Sequence, residues 1–291
     1  MRALIHLGLN KCASTYVQTA LDAARSDLQR HGVWYPDQPG PCCHYGLSRN
    51  YGFGPEDPTV DPCTLAELAD SAARRGCDRL ILSSEYLSLK APRAADRLLA
   101  DLQANGIRAE FVLFSREIYA WVRALFNQFV KTVDGSEQPA DLNAFIDRVL
   151  ANGAIDIAGR IGIWRARLPE AALHHYRLEA DAEPGAVLAP FECFAGCRLP
   201  EPAAGANTSL DADRIYRIGQ LRRLTPCPER NAEIATILAG GPVAALAPEG
   251  YLDIDMDRLD RIMVEVSRPY YQIPRSPLPE RLGATEPALA S

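Results

Sequence analysis

Residues 3 to 21 read ALIHLGLNKCASTYVQTAL. Five mostly apolar residues run straight into Gly-Leu-Asn-Lys-Cys-Ala-Ser-Thr, and a helical spacing follows at Val17, Leu21, Ala24 and Leu28. An apolar strand, a short loop and a helix in direct succession form a βα unit, and no other stretch constrains the fold as strongly. The loop has the layout of a phosphate-gripping turn, because backbone N–H groups at a helix start favour an anion. It lacks the Gly-Lys-Ser/Thr ending of the nucleotide-hydrolase loop. The first question is therefore which phosphate it holds.

The βα pattern recurs. Ala3–Leu7, Val33–Tyr35, Arg79–Glu85, Ala109–Phe114 and Ala172–Glu179 read as strands, and helical spacing covers Ser14–Arg30, Thr64–Arg75, Pro92–Asn105, Glu117–Lys131, Leu142–Leu150 and Ile157–Arg167. Thr64 with Glu67 reads as a capping box, and Gly106 stands where a helix C-terminus needs it. Asp37–Cys63 is rich in Pro, Gly and aromatics and reads as a long functional loop or lid. The last third reads as helices at Asp211–Leu224, Pro228–Leu238 and Met256–Val266. The expectation is an α/β fold, a three-layer parallel β-sheet with helices on both faces and helical insertions. We expect one domain over residues 1–267 and a Pro-rich C-terminal tail over 268–291. Ligands of such sheets sit at the carboxyl ends of the strands, which gathers Lys11–Thr15, Ser83–Glu85 and Ser115–Arg116 around one crevice.

Composition narrows the function classes. The net charge of −6 disfavours broad nucleic-acid binding but permits a local basic pocket for one small polyanion. No run reaches the length of a membrane span, and His6 and Lys11 break the first apolar stretch, so a cytoplasmic protein is expected. The eight cysteines show no paired C-x-x-C spacing, and scattered free thiols are expected instead of a zinc site or disulfides.

The candidate chemistry begins in the loop. Lys11 supplies a full positive charge, and Ser14 and Thr15 supply hydroxyl donors; the plain alternative makes Ser14 a helix N-cap. Arg116 leaves a strand and enters a helix, where a guanidinium grips a second phosphate as readily as it pairs with Glu117.

The segments IHLGLNKCASTYVQTAL, GVWYP, LILSSEYLS, FVLFSREIYAWVRALFNQFVK and NTSLDADRIYRIGQL occur in this order across residues 5 to 221. The series resembles the bacterial branch of the sulfotransferases, with their P-loop-like architecture. The resemblance implies 3′-phosphoadenosine 5′-phosphosulfate (PAPS) as sulfuryl donor, no required metal, and a small-molecule or carbohydrate hydroxyl or amine as acceptor. It implies that Lys11, Cys12, Ala13, Ser14 and Thr15 hold the 5′-phosphosulfate, with Lys11 also on the bridging oxygen, and that Arg116 holds the 3′-phosphate. Asn207 and Ser209 match a late loop that returns to the donor. Glu85 matches the position of a His or Glu base, and His44, after the YP element, is the rival base. Two residues depart from the family pattern. Ala13 replaces a glycine and fits if φ there stays negative. Ala124 replaces a serine that shares the 3′-phosphate, so the expectation is either weaker 3′-phosphate binding or a substitute donor such as Arg123, Asn127, or Asn207 and Ser209. Competing readings are a small-molecule kinase with an atypical phosphate loop and a non-catalytic relative that binds a nucleotide or partner.

Overall fold

Five strands, β1 (Arg2–Leu7), β2 (Val33–Trp34), β3 (Arg79–Ser84), β4 (Arg108–Arg116) and β5 (Leu173–Leu178), form one sheet in the order β2-β3-β1-β4-β5. Every neighbouring pair is parallel. This is a computed structural model in which residues 1–37, 44–54, 61–179, 183–203, 210–244 and 247–282 are described. The chain is thus an α/β protein with an all-parallel sheet. All of β1 after Arg2 is buried, as a strand covered on both faces must be.

The helices are α1 (Ser14–Ala23), α2 (Arg25–Arg30), α3 (Tyr45–Tyr51), α4 (Leu65–Arg74), α5 (Pro92–Ala104), α6 (Ile118–Thr132), α7 (Leu142–Ala151) and α8 (Ile157–Arg165). They continue with α9 (Ala189–Ala195), α10 (Ala212–Arg223), α11 (Pro228–Leu238), α12 (Met256–Arg261) and α13 (Arg268–Tyr271). The Thr64–Glu67 capping box closes in both directions, with Thr64 Oγ1 accepting from Glu67 N–H at 3.2 Å and Thr64 N–H donating to Glu67 Oε2 at 2.8 Å. The expected helix over 14–30 is divided at Ala24, and the expected loop over 37–63 contains α3. Helix α9 carries no periodic signal longer than two turns and was not expected.

Alternate residues of the strands face opposite ways. On one side His6 of β1 and Phe114 of β4 meet Phe191 of α9, with ring centroids 5.5 and 6.3 Å from it. On the other side Phe111 meets Trp164, 5.2 Å away, and Trp164 Nε1–H donates to Leu87 O at 3.1 Å. The right-handed crossover rule explains the layering. The step from β1 to β2 runs against the direction of β2 to β3, β3 to β4 and β4 to β5, so α1 leaves β1 toward the face opposite α4 and α5. β1 is therefore the strand at which the winding reverses, where such sheets open a crevice.

The chain divides into two compact units. The first comprises 1–117, 159–203 and 274–291 and holds the sheet; the second comprises 118–158 and 204–273 and is helical. Within the second, Phe126 packs on Phe145 and Tyr251, and Asp134 binds Arg222 and Arg230, each at 3.1 Å. The tail expected from residue 268 begins later. Residues 268–271 close a helix of the second unit, and from Pro274 the chain belongs to the first.

From Pro274 to Leu282 this segment is a strap on the outer edge of β5. Ser276 N–H donates to His175 O at 2.7 Å, while Pro274, Pro277 and Pro279 have no N–H to extend the pairing into a sixth strand. Its far end is held by Arg281, which donates to Glu192 Oε1 at 2.6 Å and to Leu199 O at 3.1 Å and also pairs with Glu201. Glu192 is completely buried. Burial pulls its pKa upward, but hydrogen bonds from Arg281 and the Leu199 N–H, with the charges of Arg281 and Arg198, hold it below the ordinary value. Arg281→Ala leaves this carboxylate without its main partner and should cost about 3 kcal/mol in urea unfolding. An unchanged midpoint would show that the strap does not anchor the unit.

Candidate functional site

The carboxyl ends of β1, β3 and β4 converge through Gly8–Thr15, Glu85 and Arg116. β1 is registered on both neighbours, with Leu7 opposite Ser84 and His6 opposite Val112. Gly8 N–H then donates to Ser84 O at 3.2 Å. A Cβ on Gly8 would lie 2.8 Å from Ser14 Oγ and 3.1 Å from the Cα and Cγ of Glu85, so only glycine lets the loop and the acid approach this closely.

Lys11 and Ala13 both have φ of 65°, while Cys12 between them does not adopt positive φ. This alternation is the backbone pattern of a nest, within which the Cys12 N–H donates to Leu9 O at 3.2 Å. The condition under which Ala13 would fit without strain, a negative φ, is therefore not met. The turn needs a left-handed residue there, and alanine adopts it at a cost of roughly 1–2 kcal/mol. Ala13 also occupies the N-cap of α1, with no side-chain cap and no acidic residue in the first turn. Ser14 is therefore not an N-cap. Its Oγ lies 3.2 Å from Leu9 O and also hydrogen-bonds Glu85. A hydroxyl has one proton, so Ser14 serves ionised Glu85 or Leu9 as donor, and accepts from Glu85 once the acid is protonated.

Glu85 is half-buried. Desolvation raises its pKa, against the opposing charge of Lys11 and the Ser14 hydrogen bond. Lys11 is lowered, again by desolvation first, with Glu85 acting in the opposite sense. The two opposite charges act on each other in partly excluded water, where an acid is poised to take a proton and an ammonium to meet new negative charge. Cys12 is a neutral filler: it is buried, its pKa is pushed up to about 12 by desolvation, and the Arg116 backbone N–H donates to it. That contact ties the loop to the end of β4. Thr15 is exposed on the first turn of α1.

His44 is not available as a base. It is 1% exposed; Nδ1 accepts from Ser83 N–H at 2.8 Å and Nε2 donates to Pro36 O at 3.1 Å. Burial lowers its pKa to about 4. Its role is to staple the start of α3 to β3. Asn207 and Ser209 lie outside the described residues. Arg123, Ala124 and Asn127 stand on α6 in the second unit, where Asn127 Nδ2 donates to Leu210 O at 3.3 Å.

Sequence reading missed a buried polar chain behind the loop. Gln18 Nε2 donates to Ser83 Oγ at 3.0 Å, which leaves the Ser83 proton for His6 Nδ1 at 2.9 Å. His6 Nε2 then meets no hydrogen-bond partner and sits among aromatic rings, and burial lowers the His6 pKa to about 3. The available signal was Gln18 itself, on the same helical face as Ser14 and Leu21. A separate open cavity of about 420 Å³ lies between the end of β5 and the strap, lined by Tyr176, Arg177, Glu179 and Arg275 among others.

Among the described residues no group of three or more His, Cys, Asp or Glu side chains could hold a metal ion. No helix there is long and apolar enough to cross a membrane. In comparisons with known proteins, no family model matches the chain and no curated protein matches it.

Two outcomes follow from this geometry. Ala13→Gly relieves the left-handed strain and should raise unfolding stability by about 1 kcal/mol in urea titration; a loss would mean the alanine methyl makes contacts worth more than the strain. His6, His44 and His175 are all buried with pKa values of about 3, 4 and 4, below their unfolded value. Their neutral forms stabilise the fold above the unfolded pKa, and that stability is lost as pH falls from about 6.5 toward 4, by about 1.4 kcal/mol per pH unit per group. Urea midpoints at pH 7, 6 and 5 should decline steadily, and a flat series would contradict the three buried neutral rings.

Proposed function

We propose that the protein is a cytoplasmic sulfotransferase that moves a sulfuryl group from PAPS to a hydroxyl or amine of a small-molecule or carbohydrate acceptor. The observation that carries this reading is the strained nest at Lys11 and Ala13, opening onto the desolvated Lys11–Glu85 pair. The P-loop-like architecture inferred from the sequence segments agrees with the all-parallel sheet whose winding reverses at β1.

The residues fit the donor. The uncapped start of α1, the nest amides and Lys11 suit the 5′-phosphosulfate, Ser14 and Thr15 add hydroxyls, and Arg116 suits the 3′-phosphate. PAPS supplies an electrophilic sulfur with a bisphosphate leaving group. Glu85 accepts the acceptor's proton as its oxygen or nitrogen bonds to sulfur. The sulfur–oxygen bond to the bisphosphate breaks, the leaving oxygen keeps the electron pair, and Lys11 offsets the charge that develops there. The contribution is mainly electrostatic and positional.

Calorimetry with adenosine 3′,5′-bisphosphate against ATP with Mg²⁺ tests the donor site. Metal-independent binding that prefers the bisphosphate, and that is lost in Lys11→Ala and Arg116→Ala, is the expected result. Glu85→Gln should keep that binding and lower turnover of a screened acceptor by about 10²–10³-fold. In the wild type the rate should rise with pH through the raised pKa of Glu85, above the ordinary carboxylate value near 4.3. Preference for Mg·ATP would favour a kinase, binding of neither would sink the nucleotide reading, and full activity of Glu85→Gln would remove Glu85 as the base.

A further inference from the structure

Helix α1 begins the return from β1 to the parallel strand β2, so it runs antiparallel to β3 as well. Two of its side chains reach β3 and the residue that follows it. Ser14 hydrogen-bonds Glu85, and Gln18 Nε2–H donates to Ser83 Oγ at 3.0 Å. Ser14 and Gln18 stand one turn apart, about 6 Å along α1, and Glu85 and Ser83 are two residues apart, about 6.6 Å along β3. The helix passes from Ser14 to Gln18 as the strand runs back from Glu85 to Ser83. The two bonds are therefore rungs of one ladder with nearly matched spacing.

The rungs differ in strength. The lower one is sealed: Gln18 is 6% exposed, and Ser83 and His6 are fully buried. With Gln18 as donor, the Ser83 proton goes to His6 Nδ1 at 2.9 Å, which ties this rung to β1 as well. The upper rung has a competitor. Ser14 Oγ also reaches Leu9 O, at 3.2 Å, on the turn that leads into α1. A small slide of α1 along β3 leaves the Ser14 hydroxyl on Leu9 and takes it off Glu85. Ala13 offers no side-chain cap at the helix start, and Val17 and Leu21 are held by apolar contacts, which have no direction. A hydrogen bond has one, and the Gln18–Ser83 bond selects the register. Space around the upper rung is short, since a Cβ on Gly8 would lie 2.8 Å from Ser14 Oγ.

We propose that Gln18 is a positioning residue, which through Ser83 fixes the register of α1 on β3 and so keeps Ser14 on the Glu85 carboxylate. Its place in catalysis rests on the sulfotransferase reading, in which Glu85 takes the acceptor's proton; the register itself does not. The Ser14 bond favours ionised Glu85 against desolvation. Loss of the lower rung therefore raises the proton affinity of Glu85 without touching either charge of the site.

Carbon NMR titration of the Glu85 carboxyl, assigned with Glu85→Gln, tests this on the full ligand-free chain and needs no substrate. Gln18→Met keeps the length and helix preference of the side chain and removes the amide, while Ser83 retains its bond to His6. The Glu85 pKa should rise by about half a pH unit in Gln18→Met and in Ser14→Ala, and by no more in the double variant, because both changes remove the same bond. Ser83→Ala breaks the rung from the other side and should reproduce the rise. Thr19→Ala, which removes only a bond to Thr15 O on the exposed side of α1, should leave the titration in place. Where an acceptor is turned over, the inflection of rate against pH should move with the NMR value in Gln18→Met. A Glu85 titration that stays in place or moves downward in Gln18→Met and Ser83→Ala would overturn the proposal. So would additive shifts in the double variant, or an equal shift in Thr19→Ala. Failure to bind adenosine 3′,5′-bisphosphate would instead remove the transfer reading and leave the titration result standing.

Discussion

The turn at the end of β1 sets the conditions for everything around it. Two non-glycine residues, Lys11 and Ala13, are held left-handed within three positions, and neither conformation is comfortable alone. Surrounding contacts keep them there. Gly8 is pinned to Ser84, Cys12 to the Arg116 backbone, Ser14 to Leu9 and Glu85, and Gln18 carries α1 onto Ser83. The strain is supported by three parallel strands in register, and the result is a fan of amides with an ammonium beside it.

The same packing sets the ionisation of the site. Lys11 and Glu85 would both be ordinary in water. Withdrawn together from solvent, each loses stability from its own desolvation and regains part of it from the other. The balance leaves an acid with raised proton affinity next to a cation, which is the combination that proton transfer with charge development requires. Ser83 stands behind both, with its backbone joined to His44 and its hydroxyl to Gln18 and His6. The long segment after β2 and the first helix are thus referred to one residue of β3.

Much of this was legible in the chain. The apolar run of β1, the capping box at Thr64, the glycine stop after α5 and the alternation of strand and helix are local signals, and the structure has them where the sequence placed them. The loop between β1 and α1 was legible for the same reason: strand, loop and helix start are contiguous. Other features were not. His44 was named as the rival base for its place after the YP element, while its partners, Ser83 and Pro36, are 39 and 8 residues away. The Pro-rich tail looked detachable, but Arg281 reaches Glu192 across 89 residues.

The sequence by itself therefore determined which segments become strands and helices and that a short loop joins β1 directly to the start of α1. Those outcomes depend on periodicity and on residues within about four positions. Only the tertiary structure decided that Ala13 is left-handed, that Glu85 faces Lys11 in partial desolvation, that His44 is sealed, and that the end of the chain closes the edge of β5. Each of these depends on burial and on partners distant in the chain, and neither quantity exists before the sheet has formed.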